Sequence, residues 1–268
     1  MKLPIAIQLF SLRNEAAEDL RGTLAKVKEM GYDGVELAGL YEREPEEIRD
    51  MCAEAGLIPI SAHVGMDRIL RKPYLAFEPY VRVGCKYVAI PYSPLENFPH
   101  SPNYKYAKRN IATCIEAAHD LGLPVLYHNH KHEFVRHGGK YLLDEFLDDF
   151  PQIATEFDVA WVDAAGDDPV RRIRDYKGRV PIVHLKDYYG EKGEEYYDLI
   201  ALADHGEPPS PKGHEYRPLG QGIVDIPAIV KAAEESGTEW FVVEQDNATP
   251  GMTPLECAEA SIKYLKSL

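Results

Sequence analysis

Cysteine is scarce and scattered in this chain: Cys52, Cys85, Cys114 and Cys257 form no CxxC pair. That argues against a disulfide framework and leaves free thiols, as expected of a cytoplasmic protein. Basic residues are also few. Thirty Lys and Arg face 44 Asp and Glu, for a net charge of −14. A nucleic-acid binder needs a basic footprint, and docking on anionic lipid needs one too, so both are excluded. No run of about 18 apolar residues exists, so no membrane-spanning segment is expected. A glycine-rich turn after an early strand is missing, which disfavours a dinucleotide-binding open sheet. With no phosphate cradle evident, the substrate is expected to be unphosphorylated. The opening MKLPIAIQLFSLRNE has a short apolar run and no A-x-A cleavage site, and reads as a first strand rather than a signal peptide. No stretch in the middle resembles a linker, so residues 1–268 are expected to be one domain.

What the chain does have is a regular alternation. Short apolar runs, such as Gly34–Leu37, Val125–His128, Ile182–Leu185 and Trp240–Glu244, alternate with stretches of helical periodicity closed by glycine. Eight such pairs can be counted. Eight strand–helix units in about 250 residues match a (β/α)8 TIM barrel, an α/β fold whose chemistry sits where the strands end. One connection stands out. Residues 188–222, between the seventh strand and its helix, are too long and polar for a plain turn. They are expected to form a lid, with Arg217 and His214 as its substrate-facing groups.

The strand ends share a grammar. PVLYHNHKHEF passes from a buried run into a polar burst, and ATEFDVAWV, PIVHLKD and WFVVEQD repeat the pattern. In a barrel these would be strands five to eight, which are neighbours. Glu133, Asp158, His184 and Glu244 can then converge on one divalent ion. Three carboxylates and an imidazole suit Mn²⁺ or Mg²⁺, with Co²⁺ or Zn²⁺ as alternatives. Without a cation, three adjacent carboxylates would repel one another. Taken singly, Asp158 is equally a turn residue and His184 a core histidine; together they read as a site. His63, His128 and His130 fall near the ends of strands three and five, to bind sugar hydroxyls or brace the ligands. Lys186 shares the side of its strand with His184 and can neutralise a ligand carboxylate or touch an oxyanion. Glu36 ends the second strand, and Trp161 offers a face for a sugar ring or packs in the rim. Asp187 reads as structural.

The ordered set YHNHKHEF, FDVAWV, VHLKD, LGQGIVD and VVEQD resembles the xylose isomerase-like TIM barrel family, the sugar phosphate isomerase/epimerase group. The match runs over nearly the whole chain and is closest to the branch with inosose dehydratases and 3-keto-glycoside epimerases. The resemblance implies one divalent metal on Glu133, Asp158, His184 and Glu244, with Glu133 and Glu244 also shuttling the proton. It implies isomerisation or epimerisation of a small keto sugar or polyol through a metal-stabilised enediolate. Dehydration of an inosose-like or 3-keto sugar is the alternative. Many relatives carry a histidine where Trp161 stands, and Tyr92 replaces another. Those departures, with the negative charge, disfavour a three-zinc endonuclease. A catalytically silent sugar-binding protein remains a rival. Barrels of this sort often pair into homodimers, and no patch in the sequence decides it.

Overall fold

The computed structural model describes residues 2–190, 192 and 215–268. Eight strands form one parallel sheet: β1 (Ile5–Gln8), β2 (Gly34–Leu37), β3 (Ile58–Ala62), β4 (Val88–Ile90), β5 (Val125–His128), β6 (Ala154–Asp158), β7 (Ile182–Leu185) and β8 (Trp240–Val243). Their order across the sheet is β3-β2-β1-β8-β7-β6-β5-β4. The two outer strands meet through a bridge between His63 and Ala89, with Val64 N–H donating to the Ala89 carbonyl at 2.9 Å. The ring therefore nearly closes into the expected TIM barrel. Most strands are buried at every position, which is why each reads as an apolar run.

Each strand is followed by a helix: α1 (Leu20–Met30), α2 (Pro45–Ala55), α3 (Pro73–Val83), α4 (Tyr104–Asp120), α5 (Leu142–Asp149), α6 (Pro169–Asp175), α7 (Ile226–Ser236) and α8 (Pro254–Ser267). Proline opens α2, α3, α6 and α8, where its missing N–H costs nothing. Gly31 ends α1 at φ 101°, a left-handed backbone that glycine adopts without strain. Helix faces and outward strand residues such as Ile7, Val35, Tyr127 and Val183 make the main core. A second, smaller cluster fills the barrel interior: Ala6, Ile60, Tyr87, Ala89, Leu126, Ile182, Trp240 and Val242.

Strand parity positions the chemistry. Side chains alternate across a strand, so two residues beyond an inward apolar side chain comes another inward one. Ala6 is followed by Gln8, Leu126 by His128, Ile182 by His184 and Val242 by Glu244. The interior thus changes from apolar to polar toward the carboxyl ends of the strands. Strand β3 keeps step through an irregularity. Its register against β2 shifts between Val35 and Glu36, so that Glu36 pairs with Ser61. That extra residue lets Ile60 pack inside while the Ser61 hydroxyl still reaches Glu36 at 2.5 Å.

After β7 the chain makes a two-stranded antiparallel ribbon, Asp187–Tyr189 with Glu215–Arg217. Only the ends of the expected 188–222 lid are seen here. Residues 191 and 193–214, including His214, lie outside the described residues. The buried Asp187 carboxylate accepts hydrogen bonds from four backbone N–H groups: Tyr188, Gly220, Gly222 and Val224, at 2.9 to 3.1 Å. A Cβ on Gly222 would lie 2.1 Å from Asp187 Oδ1, so the LGQGIVD turn needs glycine there. Asp187→Ala strands four donors and is expected to cost about 2–4 kcal/mol of stability. Urea denaturation of the variant checks this.

Candidate metal centre at the barrel mouth

The strand ends deliver a dense group of titratable side chains. Ligand atoms of His128, Asp158, His184 and Glu244 lie within 4.8 Å of one another, and all four residues are buried. These come from β5, β6, β7 and the residue just past β8. A second set, His63, His128, Glu156 and His184, shares two members with the first and meets the same distance limit. His184 is the pivot. Its Nδ1 lies 3.1 Å from Glu244 Oε2, and its Nε2 lies 2.7 Å from Glu36 Oε2 and 3.4 Å from Glu156 Oε2. His63 Nε2 reaches Glu156 Oε2 at 2.6 Å. The Gln8 amide donates to Glu36 at 2.8 Å, so Glu36 is held on three sides.

Lys186 carries the centre's fixed positive charge. Its buried ammonium lies 3.1 Å from Asp158 Oδ2, 3.0 Å from Glu244 Oε2 and 3.1 Å from Asp246. The Trp161 ring is 5.4 Å away and the Tyr216 ring 5.9 Å. Burial would lower the lysine's affinity for its proton, but Asp158, Asp246 and Glu244 outweigh it and hold the ammonium charged well above its ordinary range. Burial likewise opposes charge on Glu244, yet Lys186 and His184 keep it ionised well below the usual carboxylate value. Glu156 is held low against burial by His184 and His63. Those same carboxylates raise His184 well above an ordinary histidine despite its burial. Glu36 goes the other way, raised by burial and by Glu156. Burial, reinforced by His128 and His132, lowers His130 and keeps it neutral.

Whether this donor set suits a metal can be judged from its unmet bonds. Among the described residues Glu156 Oε1 is buried with no hydrogen-bond partner, while Asp158 Oδ2 is met by the Lys186 ammonium at 3.1 Å and His128 Nδ1 lies 3.3 Å from Glu156 Oε2. Orphaned buried donors and acceptors are rare in folded proteins and commonly mark an ion or water position. Two imidazoles and two carboxylates are a good set for a divalent transition ion. The outer bonds are in place as well. The Asn129 amide ties β5 to β6, donating to the Asp158 carbonyl and accepting from the Asp158 N–H, both at 3.1 Å. Asp158 Oδ1 accepts from Trp161 N–H at 3.0 Å and so caps the turn of helix at Val159–Ala164.

Three of the four ligands expected from sequence therefore meet: Asp158, His184 and Glu244. Glu133 does not join them. It lies in a 3-10 turn, His132–Phe134, and folds back behind β5. There its Oε1 accepts from the Tyr127 hydroxyl at 2.6 Å and its Oε2 from the His130 N–H at 2.8 Å. Tyr127 is an outward residue, so Glu133 sits on the barrel's outer side, and His128 is the fifth-strand residue that joins the cluster. Arg217 is also elsewhere, paired with Glu215 on the ribbon. Glu36, His63 and Lys186 all enter the cluster. His130 stands at its edge, its ring 5.0 Å from His128 and 5.3 Å from Trp161. Trp161 packs at the rim, and its buried Nε1 has no hydrogen-bond partner among the described residues. Gln8, Ser61, Glu156 and Asp246 were not expected. Parity was the available signal: Glu156 is two before Asp158, and Asp246 two beyond Glu244.

Known proteins share this fold. The family profile described as xylose isomerase-like TIM barrel matches residues 24–268. An inosose dehydratase of Lacticaseibacillus casei is 23% identical over 260 residues, covering 88% of this chain and 85% of its own. Among solved structures, a sugar phosphate isomerase/epimerase from Parabacteroides distasonis superposes with a TM-score of 0.78 at 21% identity, covering 100% of this chain and 94% of that one. The probable 3-DHS dehydratase AsbF from Bacillus anthracis gives 0.74 at 14% identity, covering 98% and 99%. No helix among the described residues is long and apolar enough to cross a membrane.

Proposed function

Because the chain belongs to the xylose isomerase-like TIM barrel family, we propose that it is a divalent-metal-dependent enzyme acting on a small keto sugar or polyol ketone. Its chemistry begins with removal of a proton from the carbon beside the carbonyl. The observation that carries this is the convergence of His128, Asp158, His184 and Glu244 from four adjacent strands within 4.8 Å. A divalent ion held by these residues supplies Lewis acidity toward the carbonyl oxygen. Two imidazoles rather than one favour Mn²⁺, Co²⁺ or Zn²⁺ over Mg²⁺.

The chain's own groups handle the protons. Glu244, kept ionised by Lys186 and His184, is the base that accepts the substrate's C–H proton. The hydrogen-bonded pair His63–Glu156, 2.6 Å apart, is the acid. It takes the place expected of Glu133 in a two-glutamate exchange. His63 keeps 13% of its side chain exposed, so it can meet a bound ligand while Glu156 stays sealed. Lys186 places a fixed ammonium beside the oxygen where negative charge develops. Proton return to the same or neighbouring carbon gives epimerisation or isomerisation. Donation by His63 to a departing β-hydroxyl gives dehydration, the reading favoured by the relatives named inosose dehydratase.

Incubation with keto sugars and inososes in deuterated water separates the outcomes. Deuterium uptake at the carbon beside the carbonyl without mass loss means isomerisation or epimerisation, and loss of one water means dehydration. Glu244→Gln should slow the exchange on the order of 100-fold or more. Exchange at the wild-type rate in that variant would remove Glu244 from its role, and absence of any exchange across the panel would remove the proposed chemistry.

A further inference from the structure

We propose that His100, His137 and Glu145 form a second metal site on the rim of the barrel mouth, one that takes a borderline ion such as Zn²⁺, Ni²⁺ or Cu²⁺. One ligand atom from each lies within 4.8 Å of the other two. They come from three separate segments. His100 lies in the loop between β4 and α4, His137 in the small hairpin Arg136–His137/Lys140–Tyr141 after β5, and Glu145 in the first turn of α5. All three segments follow the carboxyl ends of strands, so the site is on the mouth side. None of its residues belongs to the central cluster.

The local geometry is specific. His100 Nε2 is 2.6 Å from Glu145 Oε2. The His100 and His137 rings stack with centroids 3.5 Å apart and planes 25° from parallel. Two imidazoles this close repel if both are protonated, and one carboxylate offsets only one of them. A shared divalent ion, with the exposed His137 ring turned out of the stack so that its in-plane lone pair meets the ion, resolves that with both rings neutral. His100 also has φ 74°, a left-handed conformation that a non-glycine residue adopts at a cost of about 1 kcal/mol or more. Lys140, opposite His137 in the hairpin, has its ammonium 3.2 Å from Asp148. Two nitrogens and one oxygen select against Mg²⁺ and Ca²⁺, which take oxygen sets. The remaining coordination positions face solvent, so water completes the shell. Bound metal would tie the β4–α4 loop to the β5–α5 hairpin.

The test is Zn²⁺ titration against a chromophoric chelator at neutral pH, comparing wild type, His137→Ala and Glu145→Gln. His137 is exposed, so its removal leaves the fold intact. His137→Ala should bind one Zn²⁺ fewer than wild type, whatever the central cluster holds. Glu145→Gln should weaken that same ion about tenfold or more. On a His184→Ala background, which disables the central cluster, Cu²⁺ should show two nitrogen ligands by electron paramagnetic resonance, one of them lost when His137→Ala is added. Equal Zn²⁺ counts in wild type and His137→Ala would overturn the site, as would a Cu²⁺ spectrum that His137→Ala leaves unchanged. Neither result would bear on the central cluster, whose occupancy is read separately with His184→Ala.

Discussion

His184→Ala is expected to abolish turnover, lowering kcat/KM on the order of 1,000-fold or more. The residue belongs to both four-ligand sets and touches Glu36, Glu156 and Glu244. Its loss removes one of the proposed metal ligands and releases three buried carboxylates from their common partner. Metal content, measured by elemental analysis after dialysis, should fall with activity. A variant that stays folded and keeps both metal and rate would overturn the central reading. His128→Ala, which removes the other ligand shared by the two sets, should behave alike but more mildly, since His128 makes fewer short contacts to the carboxylates. The difference between the two variants measures how much His184 contributes as the hub of the charge network rather than as a ligand.

Lys186→Met should have the largest effect on stability. Removing one partner of a buried ion pair typically costs about 3–5 kcal/mol, because the other charge is left uncompensated. Here three carboxylates, Asp158, Glu244 and Asp246, lose their shared ammonium at once. The folded lysine is held charged above its ordinary value, so its contribution is fully present below the unfolded pKa near 10.4 and fades only as pH rises through the folded value. The loss should therefore be constant from mildly acidic to mildly alkaline pH. It should also depend on metal. In chelator the variant should unfold at much lower urea than wild type, and a divalent ion should recover part of the gap by supplying positive charge to Asp158 and Glu244. A stability change within about 0.5 kcal/mol, the range of an ordinary surface substitution, would show that Lys186 is not the counter-charge.

The barrel was legible because its signals are local. Runs such as IVHL and WFVV are buried parallel strands, and proline and glycine mark where the helices start and stop. The site was legible in part. Asp158, His184 and Glu244 stand at or just past a strand end on the inward side, so position and parity agree. Glu133 lies outside the cluster for a local reason. It follows the strand by several residues, and the turn at His132–Phe134 reverses the chain, so distance along the sequence no longer predicts direction. His128 was nearer and of inward parity, but a histidine inside a strand is as easily a brace as a ligand. Glu156 was invisible in another way. It sits within an otherwise buried strand, and its partners His63 and His184 are 93 and 28 residues distant in sequence. Only closure of the barrel brings them together. Arg217, expected to face substrate, lies on the ribbon with its guanidinium paired to Glu215.

The apolar plug formed by Ala6, Ile60, Leu126, Ile182 and Val242 beneath the polar layer has a kinetic consequence. Among the described residues it closes the barrel beneath the cluster, so a ligand reaches the polar layer from the side of the strands' carboxyl ends. Under the proposed function, substrate and product would use that same side, and departure of one would gate arrival of the next. A viscous solvent should then slow turnover of good substrates, whose release is limiting, more than that of poor ones.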